Sequence, residues 1–335
     1  MTDLLAQLAP QRSTQYTDLA HALALPEWQL STPGKQGVEA RLVTLGEQSY
    51  IRCTLPAALT PGQQHELGTL AMTSAFFLCY DRIGERVGPF LQPLTTGFQP
   101  ALSPDLIATR RYRGKTNELF THFLCNVARF SSDFAAQPWS KLALLDPLMG
   151  GGTTLFTGLM LGAEVAGVEL NEQDVRSTAT FLQQYLQHER ISHKMQPERL
   201  KRLGLRWRFA IGKKEPLRCT MANGDTRESE ALLPGFKPHL VVADLPYGIQ
   251  HQGQLLALLQ EALPVWLNML RIGGAMALAW DATRFTRDEM TATLESHVPA
   301  EISAPVFTEP PYNALAHRVD RVIKARDVVV LKRLR

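Results

Sequence analysis

The chain has 335 residues, 45% hydrophobic and 20% charged, with a formal net charge of +3. This length and composition exclude a low-complexity or disordered protein and suffice for two hydrophobic cores. The start, Met1-Thr2-Asp3-Leu4-Leu5, lacks a basic and then apolar leader, and no stretch approaches the ~18 uncharged apolar residues of a membrane span. Cys53, Cys79, Cys125 and Cys219 are isolated from one another. With no CxxC or Cys/His cluster, the expectation is reduced thiols, a cytoplasmic location and no metal site.

Residues 1–95 read as a small α+β unit. Val38–Val43 and Ser49–Cys53 are strand-like runs around Gly46-Glu47-Gln48, which predicts a hairpin. Thr60-Pro61 reads as an N-cap followed by proline at the first helical position, opening an apolar helix expected to reach Tyr80. Gly88–Pro104 is rich in Pro, Gly and Thr without periodicity. It reads as the linker to a second domain, so the boundaries expected are 1–95 and 96–335.

From residue 116 strands and helices alternate. Leu142–Leu145 is a continuous apolar run, as a buried parallel strand requires. A Gly-rich turn and a helix over Thr153–Leu161 follow, then the strand Val165–Val168 and a helix from Gln173 to Gln187. Leu240–Ala243, a helix over Leu255–Leu270 and the strand Ala275–Ala279 continue the series. The alternation predicts an α/β fold, a parallel sheet with helices on both faces. Ile302–Phe307 and Val328–Leu334 have no helix between them, which predicts a closing antiparallel hairpin.

Charge is concentrated in an insert. Between Arg190 and Arg218 stand ten Lys/Arg against two acids, Glu198 and Glu215, so the rest of the chain is net acidic. Further basic runs lie at Arg110, Arg111, Arg113 and Lys115, and at Arg318–Arg335. Such patches are the footprint of a phosphate-backbone partner. Arg111, Arg113, Lys201, Arg202, Arg206 and Arg208 are the candidate nucleic-acid contacts. The bland alternative is a solvated face, with Leu203, Leu205, Trp207 and Phe209 packed inward.

In doubly wound sheets ligands bind beyond the carboxyl ends of the strands. After the first strand comes Asp146-Pro147-Leu148-Met149-Gly150-Gly151-Gly152-Thr153-Thr154. Its glycines allow a sharp turn and a close approach to a ligand, and the helix start offers free N–H groups. A dinucleotide fingerprint needs a small residue where Leu155 stands, and the phosphate-loop Lys-Ser/Thr is missing. Glu169, beside Leu170, ends the next strand and suits the two hydroxyls of a ribose. Asp225, after Asn223-Gly224, suits the exocyclic amine of adenine. Asp146-Pro147 and Leu155 favour an adenosyl cofactor over NAD.

These residues carry a resemblance. Asp146-Pro-x-x-Gly150-x-Gly152-Thr153 resembles motif I of class I methyltransferases that modify exocyclic amines. Asp244-Leu245-Pro246-Tyr247-Gly248 is similar to their (Asp/Asn/Ser)-Pro-Pro-(Tyr/Phe) motif. Together with Tyr112–Glu118, which resembles the stretch leading into the helix before motif I, the pattern is most similar to the tRNA guanosine N2-methyltransferase family usually fused to THUMP domains. The resemblance covers residues 105–335; residues 1–95 carry no THUMP pattern. It implies a Rossmann-like class I methyltransferase sheet that binds S-adenosylmethionine. Thr116, Asn117, Asp146, Pro147, Gly150, Gly152, Thr153, Thr154, Glu169, Leu170, Asp225 and Asp244 would hold that cofactor. Asp244, Leu245, Pro246 and Tyr247 would hold the acceptor, with RNA favoured over DNA.

The chemistry suits these residue types. The lone pair of a purine amine is delocalised into the ring. Asp244 and the carbonyl of Leu245 could each accept one amine hydrogen, favouring a tetrahedral nitrogen. Pro246 stiffens the loop, and Tyr247 offers a stacking face. A DNA adenine-N6 or cytosine-N4 enzyme, a protein-glutamine methyltransferase and a non-catalytic nucleic-acid-binding module stay open. Glu309-Pro310-Pro311-Tyr312-Asn313 repeats the motif more literally but lies outside the catalytic region and reads as a turn. Thr116 reads as an N-cap, and His251 as a loop residue.

Overall fold

The computed structural model describes residues 2–10, 19–112, 114–201, 203–246, 252–318 and 325–335. Two units emerge: Met1–Gln99 with Thr308–Asp327, and Pro100–Phe307 with Val328–Arg335. The first boundary thus falls at 99 instead of 95. Residues 308–327, assigned by sequence to the second domain, group with the first because their contacts lie there.

The first unit holds β1 (Thr2–Leu8), α1 (Leu19–Leu30), α2 (Thr32–Gln36), β2 (Val38–Leu45), β3 (Gln48–Leu55), α3 (Pro61–Leu67), β4 (Thr73–Ile83) and β5 (Arg86–Leu94). Its sheet runs β2-β3-β1-β4-β5, with β1 antiparallel to both β3 and β4. The hairpin β2/β3 forms where the sequence puts it. The long helix does not. Thr60 and Gln63 close a capping box and Pro61 opens α3, but the helix ends at Leu67, before Gly68. The apolar residues beyond pair by twos with β1, so a strand replaces the predicted helix up to Tyr80. The buried Glu27 carboxylate accepts the N–H groups of Ala71 and Met72 at 2.9 and 2.8 Å, holding the turn into that strand. β5 likewise occupies the first part of the predicted linker.

The second unit contains α4 (Asp105–Thr109), α5 (Glu118–Ser131), β6 (Ala143–Asp146), α6 (Thr153–Leu161), β7 (Glu164–Glu169), α7 (Glu172–His188), β8 (His193–Leu200), β9 (Gly204–Ile211) and β10 (Leu217–Asn223). After them come α8 (Ser229–Leu232), β11 (Leu240–Asp244), α9 (Gln252–Met269), β12 (Ala275–Asp281) and α10 (Arg287–His297). β14 (Ala325–Lys332) is the last strand of this unit's sheet; β13 (His317–Arg318) pairs antiparallel with its first residues, which like β13 lie among those grouped with the first unit.

The sheet runs β8-β9-β10-β7-β6-β11-β12-β14. β10, β7, β6, β11 and β12 are parallel, so their carboxyl ends share one edge. Successive residues point to opposite faces. Val241, Ala243, Met276 and Leu278 join Leu263 and Trp266 of α9 in one core, while α5 packs on β11 and β12 from the other side. This is the Rossmann-like α/β sheet that the methyltransferase resemblance implies. The terminal hairpin is slighter than expected. Ile302–Phe307 contributes one antiparallel bridge, Val306 to Leu331, because Pro305 has no N–H to give the ladder.

The insert is strand. β8 and β9 form an antiparallel hairpin that widens the sheet beyond β10. Trp207 and Phe209 are buried, as the bland alternative has it.

Candidate active site

Asp146, Glu169, Asn223 and Asp244 end four parallel strands, so the sheet brings three acids, with Asp225 just beyond Asn223, to one edge. There a cavity of about 860 Å³ opens. Thr116, Asp146, Pro147, Gly150, Thr153 and Thr154 line it, with Glu169, Leu170, Asp225, Asp244 and Pro246. Three further predicted residues act from behind. Asn117 caps α5, Gly152 shapes the turn, and Leu245 is buried. Tyr247, Arg113, Arg202 and His251 lie outside the described residues.

The glycine turn is built for close approach. Gly152 sits at φ +87°, and a Cβ on it would meet the Thr178 methyl at 2.7 Å. A Cβ on Gly151 would overlap the ring of Tyr112, which lies directly over the turn. The Tyr112 hydroxyl and Thr153 Oγ1 share a hydrogen bond of 2.6 Å. Arg110 stacks on Tyr112 and Phe181 and donates to Ser177 and Thr178, so it anchors this cover.

The acids are already oriented. Glu169 accepts from Gly150 N through one oxygen, at 3.0 Å, and from Asn171 N through the other, at 2.9 Å. Asp146 is buried and accepts from Leu148 N at 3.0 Å. Burial raises its pKa to about 7 against the help of Thr154 and Leu148, and the nearby Asp244 and Glu169 raise it further. Asp225 takes three hydrogen bonds from Arg227, from its backbone N, Nε and Nη2, and these hold its carboxyl below the usual range. Arg227 also reaches Glu261 of α9.

Asp244 meets α5's approach. Thr116 Oγ1 donates to its Oδ2 at 2.6 Å. The N-cap of α5 is Asn117, which accepts from Phe120 N; the expectation that Thr116 is the cap is corrected, and its hydroxyl serves Asp244 instead. Leu245 N donates to Ala279 O at 2.8 Å, pinning the loop after β11 to β12.

This lining decides which adenosyl-type ligand fits. Asp146, Glu169, Asp225, Asp244 and Glu261 stand against Arg227. A diphosphate would meet like charge there, whereas a cationic ligand rich in N–H and O–H donors would relieve the repulsion between the carboxylates. S-adenosylmethionine carries a sulfonium, an ammonium, two ribose hydroxyls and an adenine amine, and the residues present fit it.

Among the basic candidates, Arg111 and Lys201 are exposed and Arg208 is half-exposed, 3.4 Å from Glu198. Arg206 is not a surface cation. Only 3% exposed, it donates to Glu198 and to Leu232 O, so its predicted contact with nucleic acid is corrected to a structural one. Sequence reasoning missed Tyr112 as a cover, Arg227, and the α9 contribution of Glu261. Tyr112 stood within the recognised stretch 112–118, and Arg227 stands two residues after a predicted ligand acid; nothing in the sequence marks Glu261.

Neither a family model nor a curated protein matches the chain. Solved structures similar to it include TrmN from Thermus thermophilus, at 16% identity over 100% of both chains and a TM-score of 0.46. An rRNA methylase from Streptococcus thermophilus is 12% identical over 67% of this chain and 100% of its own, with a TM-score of 0.38. A precorrin-6y C5,15-methyltransferase from Geobacter metallireducens is 12% identical over 70% and 99%, with a TM-score of 0.40. Likeness this distant carries no functional argument; the chemistry of the site has to.

Proposed function

We propose that this protein is an S-adenosylmethionine-dependent methyltransferase acting on an exocyclic amine of a nucleobase in RNA, with guanosine N2 as the favoured target. The observation that carries the reading is the acidic cavity at the carboxyl edge. Acids at successive strand ends suit the donors of an adenosyl ligand, and Asp244-Leu245-Pro246 stands on the fourth strand beside them.

Glu169 and Asp225 would take the ribose hydroxyls and the adenine amine, and buried Asp146 would face the cationic end. Bound there, the cofactor would supply a sulfonium-activated methyl group, its S–CH3 bond breaking to leave a neutral thioether. The chain's own residues do the rest. Asp244 accepts one hydrogen of the incoming amine and the Leu245 carbonyl the other, which draws the nitrogen lone pair out of conjugation. As the N–C bond forms, the nitrogen becomes cationic, and the Asp244 carboxylate is the base placed to take its proton. Tyr112 and the glycine turn exclude water from one side, and positioning in line lowers the remaining barrier. Exposed Lys201 and Arg111 supply phosphate contacts, which favours a polyanionic acceptor over a protein.

Transfer of tritiated methyl to total RNA and to DNA, followed by nucleoside digestion and mass spectrometry, tests the reading. N2-methylguanosine from RNA is the expected product. Label in DNA, or in neither acceptor, refutes it.

A further inference from the structure

We infer that a second, basic cleft at the amino end of the same sheet binds the phosphate backbone of the RNA whose target base enters the cavity. This rests on the reading of RNA as the acceptor.

The register of β8, β9 and β10 sets up the surface. Arg218, Ala210 and Lys194 lie side by side across the three strands, and Thr220, Arg208 and Gln196 form the next row. All six point to the face opposite Trp207, the face that Arg176 of α7 covers. Lys194, Arg208 and Arg218 line a cleft of about 520 Å³ walled by Pro234 and Phe236, with buried Arg206 beneath and Glu164 at the rim. Lys194 and Arg218 are exposed, and Arg208 remains half-exposed beside Glu198.

Glu198 answers part of the Arg208 charge, while Lys194 and Arg218 form no ion pair among the described residues. Arg208 lies diagonal to both Lys194 and Arg218, close enough for like charges to repel. Small Ala210 between two of the cations leaves the row flat. A phosphodiester chain answers both features, since it carries one charge per step and needs no deep pocket.

The geometry also fixes the span. Asn223 of β10 pairs with Glu169 at the cavity edge, and Arg218 pairs, through its neighbour Cys219, with the start of β7. Five residues of strand separate Arg218 from Asn223, ~16 Å at ~3.3 Å per residue. At ~3.4 Å per phosphate step along a helical strand, that is about five nucleotides. An acceptor one or two nucleotides long cannot reach; a stem of ten base pairs can.

The test is Lys194→Gln with Arg218→Gln, two exposed positions outside the catalytic cavity. RNA-stem binding is titrated by fluorescence anisotropy between 50 and 300 mM salt, and methyl transfer is measured on the stem and on a dinucleotide. Loss of two contacts should lower the slope of log K against log salt by roughly 1.4–1.8 and weaken binding roughly 10–30-fold at 0.15 M salt. KM for the stem should rise accordingly, with the dinucleotide and the cofactor unaffected. An unchanged slope overturns the cleft, as does an equal loss on stem and dinucleotide, which would mark a structural defect. Tighter wild-type binding to duplex DNA than to the stem overturns its assignment to RNA. The binding titration needs no turnover, so it decides the cleft even if the wild type methylates no RNA, which would instead refute the proposed function.

Discussion

Thr116 Oγ1 and Asp244 Oδ2 meet at 2.6 Å although 128 residues of chain separate them. A carboxylate oxygen carries two lone pairs, so this bond fixes the rotation of Asp244 while leaving acceptor capacity for an amine. Thr116→Val should lower turnover by roughly 10–100-fold, the scale of a hydrogen bond to a charged group, and Thr116→Ser should restore it. Single-turnover rates with saturating cofactor check this. Equal rates in all three proteins would leave Thr116 without a role in the chemistry.

Asp244→Ala should abolish most of the methyl transfer, by roughly 100-fold or more, with cofactor affinity nearly intact. The demand for an acceptor grows as the amine nitrogen becomes tetrahedral. Calorimetry of cofactor binding beside turnover separates the two effects. A variant that lost the cofactor but kept its rate at saturation would reverse the assignment.

Glu169→Ala should weaken S-adenosylmethionine binding by about 1–3 kcal/mol, because it removes a ribose acceptor and frees the N–H of Gly150 that the carboxylate holds. NAD should bind to neither protein. Calorimetry showing NAD preferred by the wild type would contradict the acidic-cavity argument.

Asp146 makes stability depend on pH. Its folded pKa of about 7 lies above the ordinary 3.8, with burial the main cause. The folded state therefore holds its proton more tightly than the unfolded chain does. The stability it contributes is fully present below about pH 4 and is lost as pH rises through 7. The urea midpoint of the ligand-free protein should fall between pH 5 and 8, and Asp146→Asn should flatten that fall. A cationic ligand favours the ionised form, so its affinity should rise over the same interval. A flat wild-type midpoint would mean that Asp146 is already ionised at pH 5.

Arg206→Ala should cost on the order of 1–3 kcal/mol of stability by removing its hydrogen bonds to Glu198 and Leu232 O. The salt dependence of RNA binding should not move. Chemical denaturation and a salt titration of the same variant give both answers. A reduced salt slope with unchanged stability would restore Arg206 as a phosphate contact.

The carboxyl edge was legible where a buried strand is an apolar run that an acid ends, as at Leu142–Leu145 before Asp146 and Leu240–Ala243 before Asp244, whereas β10, with Arg218 and Thr220 inside it, carries no such mark. Motif and strand end then coincide within the chain itself. Contacts between distant segments left no such mark. That Tyr112 covers Gly151, and that Arg227 ties Asp225 to Glu261, follows only from how separate elements pack. The misread helix has a related cause. Residues 70–80 are apolar at both helical and strand spacings, and pairing with β1 decides between them. Arg206 and Arg208 look alike in a basic run, yet the one contributing Leu232 contact lies 26 residues away and buries only the first.

The division of the chain into Met1–Gln99 with Thr308–Asp327, and Pro100–Phe307 with Val328–Arg335, has a consequence for synthesis. Each unit takes part of its structure from residues 308–335, made after the larger segments of both, and Val328–Leu331 of the second unit's sheet are wholly buried. Vectorial, one-domain-at-a-time maturation, the usual course for multidomain chains, is closed to this protein. A nascent chain stalled near residue 307 would expose the unfinished edge of its sheet beside β12, the state in which chaperone capture or proteolysis would find it.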